Sequence, residues 1–329
     1  MLLKNLKIAF YSILNSLHLM QTEKFERKLR GYLFDGKVTF NGIGVERELY
    51  EPFLKSAPTL ASGYSLCKSK SVLSFKHSGH IGDIIYSIPT ILGIMRSRNV
   101  QKIDLYIALN VPSGYENTKA HPNGKFRISE SSYSALKPLL EKQQWCRSVN
   151  VFENQRVDYD LDIFRDHIKH FDRGSLVNCL QLIFPVAIKS EEPWLDCKKN
   201  NAYSESIVIA RSSRYAVPFI DYSFLNKYKS VKFLGLESEY SSMKEVIPNL
   251  EWVRTDNFYD LAVVIKSSKL FIGNQSSPFS VAEALKVPRL LECCLSIPNV
   301  VPVGGRCSMF CEQTRFEKLV HEFYNEKYF

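Results

Sequence analysis

The chain has 329 residues, 45% of them apolar, and a formal net charge of +9. That length supports two α/β domains with separate cores, and no apolar run is long enough to span a bilayer. The charge favours an acidic partner, whether a nucleotide, a phosphorylated glycolipid, an anionic membrane surface or nucleic acid, with solubility alone as the plainer reading.

Residues 1–70 read as an N-terminal extension. Residues 1–20 set apolar side chains around Lys4 and Lys7, the pattern of an amphipathic helix. Such a helix either lies on a membrane or packs on the first domain, and no small-x-small cleavage site follows to make it a signal peptide. Residues 24–30 form a charged helical stretch with a solvated face. Residues 31–70 read as irregular, with turn signals at Asp35-Gly36 and Asn41-Gly42.

The chain is organised around Ser71-Val-Leu-Ser-Phe-Lys-His-Ser-Gly-His-Ile-Gly-Asp-Ile-Ile-Tyr-Ser-Ile-Pro-Thr90. Residues 72–75 predict a buried strand. Gly79 and Gly82 predict a loop that admits a close backbone or ligand. Ile84, Ile85, Ile88, Ile91 and Leu92 then recur at helical spacing. Asp83 therefore stands at the mouth of a helix just past a strand, where an α/β sheet binds ligands and a carboxylate can act as a general base. The competing structural role for Asp83 is a helix N-cap.

Residues 103–109 alternate like a strand, residues 111–125 form a loop, residues 131–145 a helix, residues 149–152 a strand and residues 159–164 another. Asp166, His167, His170 and Asp172 follow, as acceptor-binding or proton-relay candidates against the alternative of a polar loop; a metal there rests on spacing alone. Residues 187–204 are polar and aperiodic, an interdomain linker. Residues 206–210 open the second half as a strand, and Arg211-Ser-Ser-Arg214 comes next. Guanidinium groups after a strand suit a diphosphate. Residues 231–235 make a further strand, followed by Glu237 and Glu239, a helix to Val246, residues 250–253 extended and residues 259–267 helical.

A second stretch has the form of the first: Leu270-Phe-Ile-Gly-Asn-Gln-Ser-Ser-Pro-Phe-Ser-Val-Ala-Glu-Ala-Leu-Lys-Val-Pro288. Residues 270–272 read as a strand and Gly273, Asn274, Gln275, Ser276 and Ser277 as a small polar turn. Pro278 suits a first helical position, and free N–H groups there attract phosphate. Residues 289–291 and 300–303 read as the last strands, and residues 316–324 as an amphipathic terminal helix. Eight cysteines, Cys67, Cys146, Cys179, Cys197, Cys293, Cys294, Cys307 and Cys311, form no regular framework and point to a reducing compartment. Adjacent Cys293 and Cys294, with no Cys-x-x-Cys pair, favour buried thiols over a zinc site.

The Gly82-Asp83-Ile-Ile-Tyr-Ser-Ile-Pro89 run resembles the Gly-Asp-x-x-x-x-x-Pro signature of glycosyltransferase family nine, the bacterial heptosyltransferases. Gly273-Asn-Gln-Ser-Ser-Pro278 is similar to that family's Gly-Asn-Asp-Ser-Gly-Pro. The resemblance covers roughly residues 70–305. It implies an α/β chain of GT-B fold, two Rossmann-like domains facing a central cleft: residues 71–190 on the acceptor side, residues 200–310 on the nucleotide-sugar side and residues 311–329 as a terminal helix, of the kind that in GT-B enzymes often crosses back to the first domain. It further implies an inverting glycosyltransferase with no metal or other cofactor and Asp83 as its base. Arg211 or Arg214, with Ser212, meets the donor phosphates, and Gly273, Asn274, Gln275, Ser276, Ser277 and Ser280 surround them. An acidic residue about four positions after Gly235 accepts from the ribose, which suits Glu239, with Glu237 the alternative. His77, His80, His167 and His170 fall on the acceptor side.

Three positions depart from the family: Gln275 replaces an acid, Ser277 a glycine and Ser280 a histidine. Backbone phosphate binding survives these changes and side-chain contacts to heptose do not, so the donor sugar and the base stay open. The expected partners are a nucleotide sugar and a glycan or glycolipid acceptor, in the cytoplasm or at the inner membrane face. The rival readings are a non-catalytic sugar- or nucleotide-binding relative and a transferase acting on nucleic acid, which steep salt dependence of DNA binding would support. A dehydrogenase is disfavoured, because no Gly-x-Gly-x-x-Gly follows either strand.

Overall fold

The computed structural model describes residues 38–40, 43–45, 70–113, 124–167, 174–184 and 186–325. The proposed amphipathic helix of residues 1–20 and the side chains of His167 and His170 lie outside these. The chain divides into two units, Met1–Leu66 with Arg165–Lys169, and Cys67–Phe164 with His170–Phe329. In the first unit, where irregular chain was expected, strands β1 (Val38–Phe40) and β2 (Ile43–Val45) pair antiparallel with Phe40 opposite Ile43. They flank Asn41-Gly42, a dipeptide suited to a two-residue hairpin turn.

The second unit holds two parallel sheets. In the first, β3 (Val72–His77) pairs with β4 (Lys102–Ile107), β4 with β5 (Cys146–Val151), and β3 on its other side with β6 (Tyr159–Asp160). The chain thus runs outward from β3 in one direction and then returns to its other edge. In the second, the order is β12-β11-β10-β7-β8-β9, built from β7 (Ile207–Ala210), β8 (Val231–Phe233), β9 (Glu251–Trp252), β10 (Leu270–Asn274), β11 (Arg289–Glu292) and β12 (Cys307–Phe310). Strand order reverses between β7 and β10. Both reversals are switch points, where crevices open at the carboxyl ends of the strands.

The described α-helices are α1 (Ile81–Arg98), α2 (Glu130–Glu141), α3 (Ile163–His167), α4 (Leu176–Ile183), α5 (Glu237–Val246), α6 (Phe258–Ser267), α7 (Ser277–Leu285) and α8 (Gln313–Asn325). α1 carries the apolar run of the first motif and packs on α4 and α7. Its core residues Ile84, Ile85, Ile88 and Ile91 are fully buried. Pro89 lies inside this helix and does not end it. No described helix is long and apolar enough to cross a membrane.

Several boundaries differ from expectation. β6 ends at Asp160, and the chain turns into α3 two residues later. Residues 300–303 are irregular, and the last strand is β12. Val303 offers its carbonyl to Lys286 and Arg289, so it does not enter a ladder. Gly304 and Gly305 then take φ of +68° and +60°, a left-handed step before β12. The terminal helix α8 packs on the second sheet through Phe316, Val320 and Phe323, with Phe316 stacked on Phe310 at 4.0 Å.

The segment after α4 ties the halves together. Gln143 donates to the Asp196 carbonyl at 3.0 Å and accepts from its N–H at 2.8 Å. Trp194 N–H donates to Ala284 of α7 at 3.0 Å, and Lys286 Nζ lies 4.2 Å from the Trp194 ring centre. Gly93 permits the close approach of this segment, since a Cβ there would meet Val186 Cγ2 at 2.8 Å.

Burial pushes the Lys286 ammonium down from 10.5 to about 8, against the pull of Glu283. Between those values the unfolded chain binds a proton that the folded chain has released, so this group makes stability rise with pH across that window. Buried Cys146 and Cys197, pushed up to about 12 and about 11, act in the opposite sense above 9.0. Lys286→Met isolates the first effect. On going from about pH 7 to about pH 10, the melting temperature of wild type should rise relative to the variant; a constant gap between the two would refute the depressed value.

Candidate functional site

A cavity of about 320 Å³ lies where the helix starts of the two motifs meet. On the first side, His80 is the N-cap of α1 and Asp83 its third residue. Asp83 Oδ2 accepts from the His80 N–H at 3.1 Å, the acidic half of a capping box. Gly82 is therefore helical and not part of the preceding loop, and a Cβ on it would stand 4.0 Å from Ser280 Oγ of α7. The capping bond occupies one of about four lone-pair sites on a carboxylate, so capping and proton transfer are compatible. His80 and Asp83 both line the cavity. His77 does not. It shares the buried face of β3 with Leu73 and Phe75, and its Nδ1 accepts from Gly79 N–H at 2.8 Å.

On the second side, register places Gly273 beside Ala210, so Arg211, just past the end of β7, follows at the level of Asn274, the last residue of β10. A Cβ at Gly273 would lie 3.1 Å from the Ala210 carbonyl oxygen, which explains the glycine. The buried Asn274 amide accepts from Ser212 N–H at 3.1 Å and donates to the Ser212 carbonyl at 2.6 Å, fixing the turn after β7. Gln275 accepts from Cys294 N–H at 2.6 Å and donates to the Ile297 carbonyl, fixing the loop after β11. Ser280 is buried and donates to Ser277 O at 2.6 Å. Gly273, Asn274 and Ser280 thus shape the loop from behind, whereas Ser212, Gln275, Ser276 and Ser277 line the cavity.

α7 has its proline at the second position, after Ser277, and not at the first. Pro278 has no N–H and Phe279 N–H bonds Ser276 O at 3.0 Å. The Ser277 N–H is the donor this turn presents near the cavity. The Ser276 side chain does not cap the helix.

The two arginines divide. Arg211 is held by the fully buried Glu292 through Nε–Oε2 at 2.7 Å and Nη2–Oε1 at 2.9 Å, and Nη2 also donates to Val217 O at 2.9 Å. Tyr222 Oη donates to the same carboxylate at 2.7 Å, and Arg211 lies over its ring at 4.8 Å. Arg211 borders the cavity with its charge already balanced. Arg214 stacks on Tyr215 at 4.5 Å and lines the cavity with it. Beyond them Glu239 lines the wall, its Oε2 accepting from Leu236 N–H at 3.2 Å. Glu237 is exposed and is not part of the lining. Leu234, Leu236, Phe258 and Leu261 make the adjoining apolar wall.

Sequence reasoning missed Tyr86, Ser132, Leu176, Asn299 and Val300, which also line the cavity. Tyr86 carried a signal, standing three residues after Asp83 and so on the same helix face. The others reach the site through tertiary packing alone. Among the described residues, no three His, Cys, Asp or Glu side chains gather as a metal site.

No family model matches the chain. No curated protein matches it. Solved structures do. The E. coli heptosyltransferase WaaC with ADP-2-deoxy-2-fluoro heptose aligns at TM-score 0.52 and 8% identity, covering 76% of this chain and 99% of that one. The E. coli ADP-heptose lps heptosyltransferase II aligns at TM-score 0.53 and 12% identity, covering 78% of this chain and 98% of that one. The fold is GT-B. In GT-B terms, the first sheet with α1 and α2 is the amino-terminal half, the second sheet with α5 to α8 is the carboxyl-terminal half, and the cavity occupies the cleft between them.

Proposed function

We propose that this chain is an inverting glycosyltransferase that moves a sugar from a nucleotide donor to a hydroxyl of a glycan or glycolipid. The observation that carries the reading is that one cavity is lined by Asp83 of one half and by Arg214, Ser277 and Glu239 of the other. The relatives of known fold include one with a bound ADP-sugar analogue. Arg214 and the start of α7 receive the donor diphosphate. Glu239 accepts from the ribose, and the apolar wall by Phe258 takes the base.

The proposed reaction is one displacement. Asp83 takes the proton of the acceptor hydroxyl, the oxygen bonds to the anomeric carbon, and the bond from that carbon to the diphosphate oxygen breaks. The leaving diphosphate carries its charge onto Arg214 and the helix start, so the step calls for no resident metal or other cofactor. Residues 71–190 serve the acceptor and residues 200–310 the donor. Lys4 and Lys7 are proposed to hold the enzyme on anionic membrane; full-length protein should sediment with anionic liposomes and a chain starting near Lys24 should not.

A thermal-shift screen of nucleotide sugars and nucleoside diphosphates tests the reading, since a ligand that binds only the folded state raises its melting point. No shift with any of them would remove it. Arg214→Ala should weaken binding of the diphosphate found in that screen by about 1.5–3 kcal/mol, the worth of a charged hydrogen bond. Calorimetry showing equal affinity would move the phosphates away from Arg214.

A further inference from the structure

A second cavity, also of about 320 Å³, adjoins the first and shares Tyr86, Leu176, Asn299 and Val300 with it as wall. Ser175, Ser190 and Glu283 are among the residues that line it alone. Two features of this cavity differ from the first.

The first feature is its charge. Among the described residues, Glu283 is the one charged residue of the lining. Its Oε1 accepts from Lys286 Nζ at 2.5 Å and from Val303 N–H at 3.2 Å, and its Oε2 accepts from Arg289 Nε at 2.5 Å. Among the described residues, the lining holds no cation to meet a phosphate or a carboxylate. The second feature is its polar atoms. Tyr86 is 5% exposed and its Oη is buried without a hydrogen-bond partner. Asn299 Oδ1 is likewise buried and unpartnered. Burial, with Glu283 and Asp83 nearby, raises the Tyr86 phenol well above its ordinary value, so it remains an O–H donor. A buried polar group without a partner is costly, and a neutral donor and an acceptor on residues of one lining match a hydroxyl, which both gives and receives hydrogen bonds.

We infer that this second cavity is a subsite for a neutral, polyhydroxylated sugar ring, with Tyr86 Oη and Asn299 Oδ1 as its hydrogen-bonding anchors. The inference rests on the transferase reading and deepens it. Charge divides the ligand between the two cavities: the diphosphate beside Arg214, and an uncharged ring beside Tyr86. It also places sugar recognition away from Gln275, whose amide is engaged by Cys294 and Ile297. The ring belongs either to the donor or to the acceptor.

The test compares wild type with Tyr86→Phe and Asn299→Ala. Calorimetry measures ADP, UDP and GDP against ADP-glucose, UDP-glucose, UDP-N-acetylglucosamine and GDP-mannose, and thermal shift measures free methyl glycosides of the same sugars. A donor ring predicts that wild type prefers one nucleotide sugar over its own diphosphate. Each variant then loses that preference by about five- to tenfold, a larger loss than any in its affinity for the diphosphate alone. An acceptor ring predicts that nucleotide-sugar binding is unchanged and that a methyl glycoside shift, present in wild type, disappears in the variants. Tyr86→Phe keeps the ring and removes only a hydroxyl without a partner, so its melting temperature should equal or exceed that of wild type. Variants that retain both the sugar preference and the glycoside shift would overturn the subsite, as would a wild type that binds no sugar in either form. A wild type that binds glycosides at Tyr86 but no diphosphate keeps the subsite and removes the transferase reading.

Discussion

Asp83→Asn should lower the transfer rate by roughly 10²–10⁴, the usual worth of a positioned general base, while the protein keeps its fold and its donor affinity. Asparagine retains a side-chain oxygen at the third helical position, so the bond from His80 N–H, at 3.1 Å in the native helix, can persist. A purely structural Asp83 would therefore leave both stability and rate near normal. The two roles separate in one experiment: turnover with the acceptor, alongside a melting curve and a donor titration. Transfer by the variant at close to the native rate would end the proposed mechanism.

Arg211→Ala should destabilise the fold by about 3–5 kcal/mol, because it leaves the carboxylate of Glu292 buried without its charge partner. Glu292 is fully buried and receives Arg211 through two bonds, with Val217 N–H at 2.6 Å and Tyr222 Oη at 2.7 Å as its other donors. Arg211→Met with Glu292→Met should recover much of that loss, since a buried ion pair replaced by apolar groups of similar volume is often close to neutral. Denaturant unfolding of the two variants decides it. Equal and small losses in both would mean that the pair contributes little, and that Arg211 is available to a ligand after all.

The parts of the fold legible in the sequence were those written in short range. β3 with α1, and β10 with α7, each combine an apolar run, small turn residues and helical spacing within twenty residues. The placement of Asp83 at the cleft followed from that. Arg211 shows where this reasoning stops. Beside a strand end it reads as a phosphate ligand, and its partner Glu292 lies 81 residues later, on a strand that its own sequence does not connect with it. The last strand failed for a different reason. Val-Val-Pro-Val at residues 300–303 is the better strand former by composition, but Cys307–Phe310 has the position beside β11, and position overrode propensity. Asn299 and Val300 reach the cavity from a loop with no periodicity, so nothing local announced them.

Asn274 and Gln275 carry one more consequence. Each offers an amide to a neighbouring main chain as another peptide unit would: Asn274 to Ser212, and Gln275 to Cys294 and Ile297. Two loops that a ligand would otherwise have to order are braced by the protein's own side chains. An incoming nucleotide then gives up little conformational freedom of the protein, so more of its contact energy appears as affinity. Association should resemble a rigid docking event, with on-rates that vary little among ligands and discrimination expressed chiefly in how long each one stays.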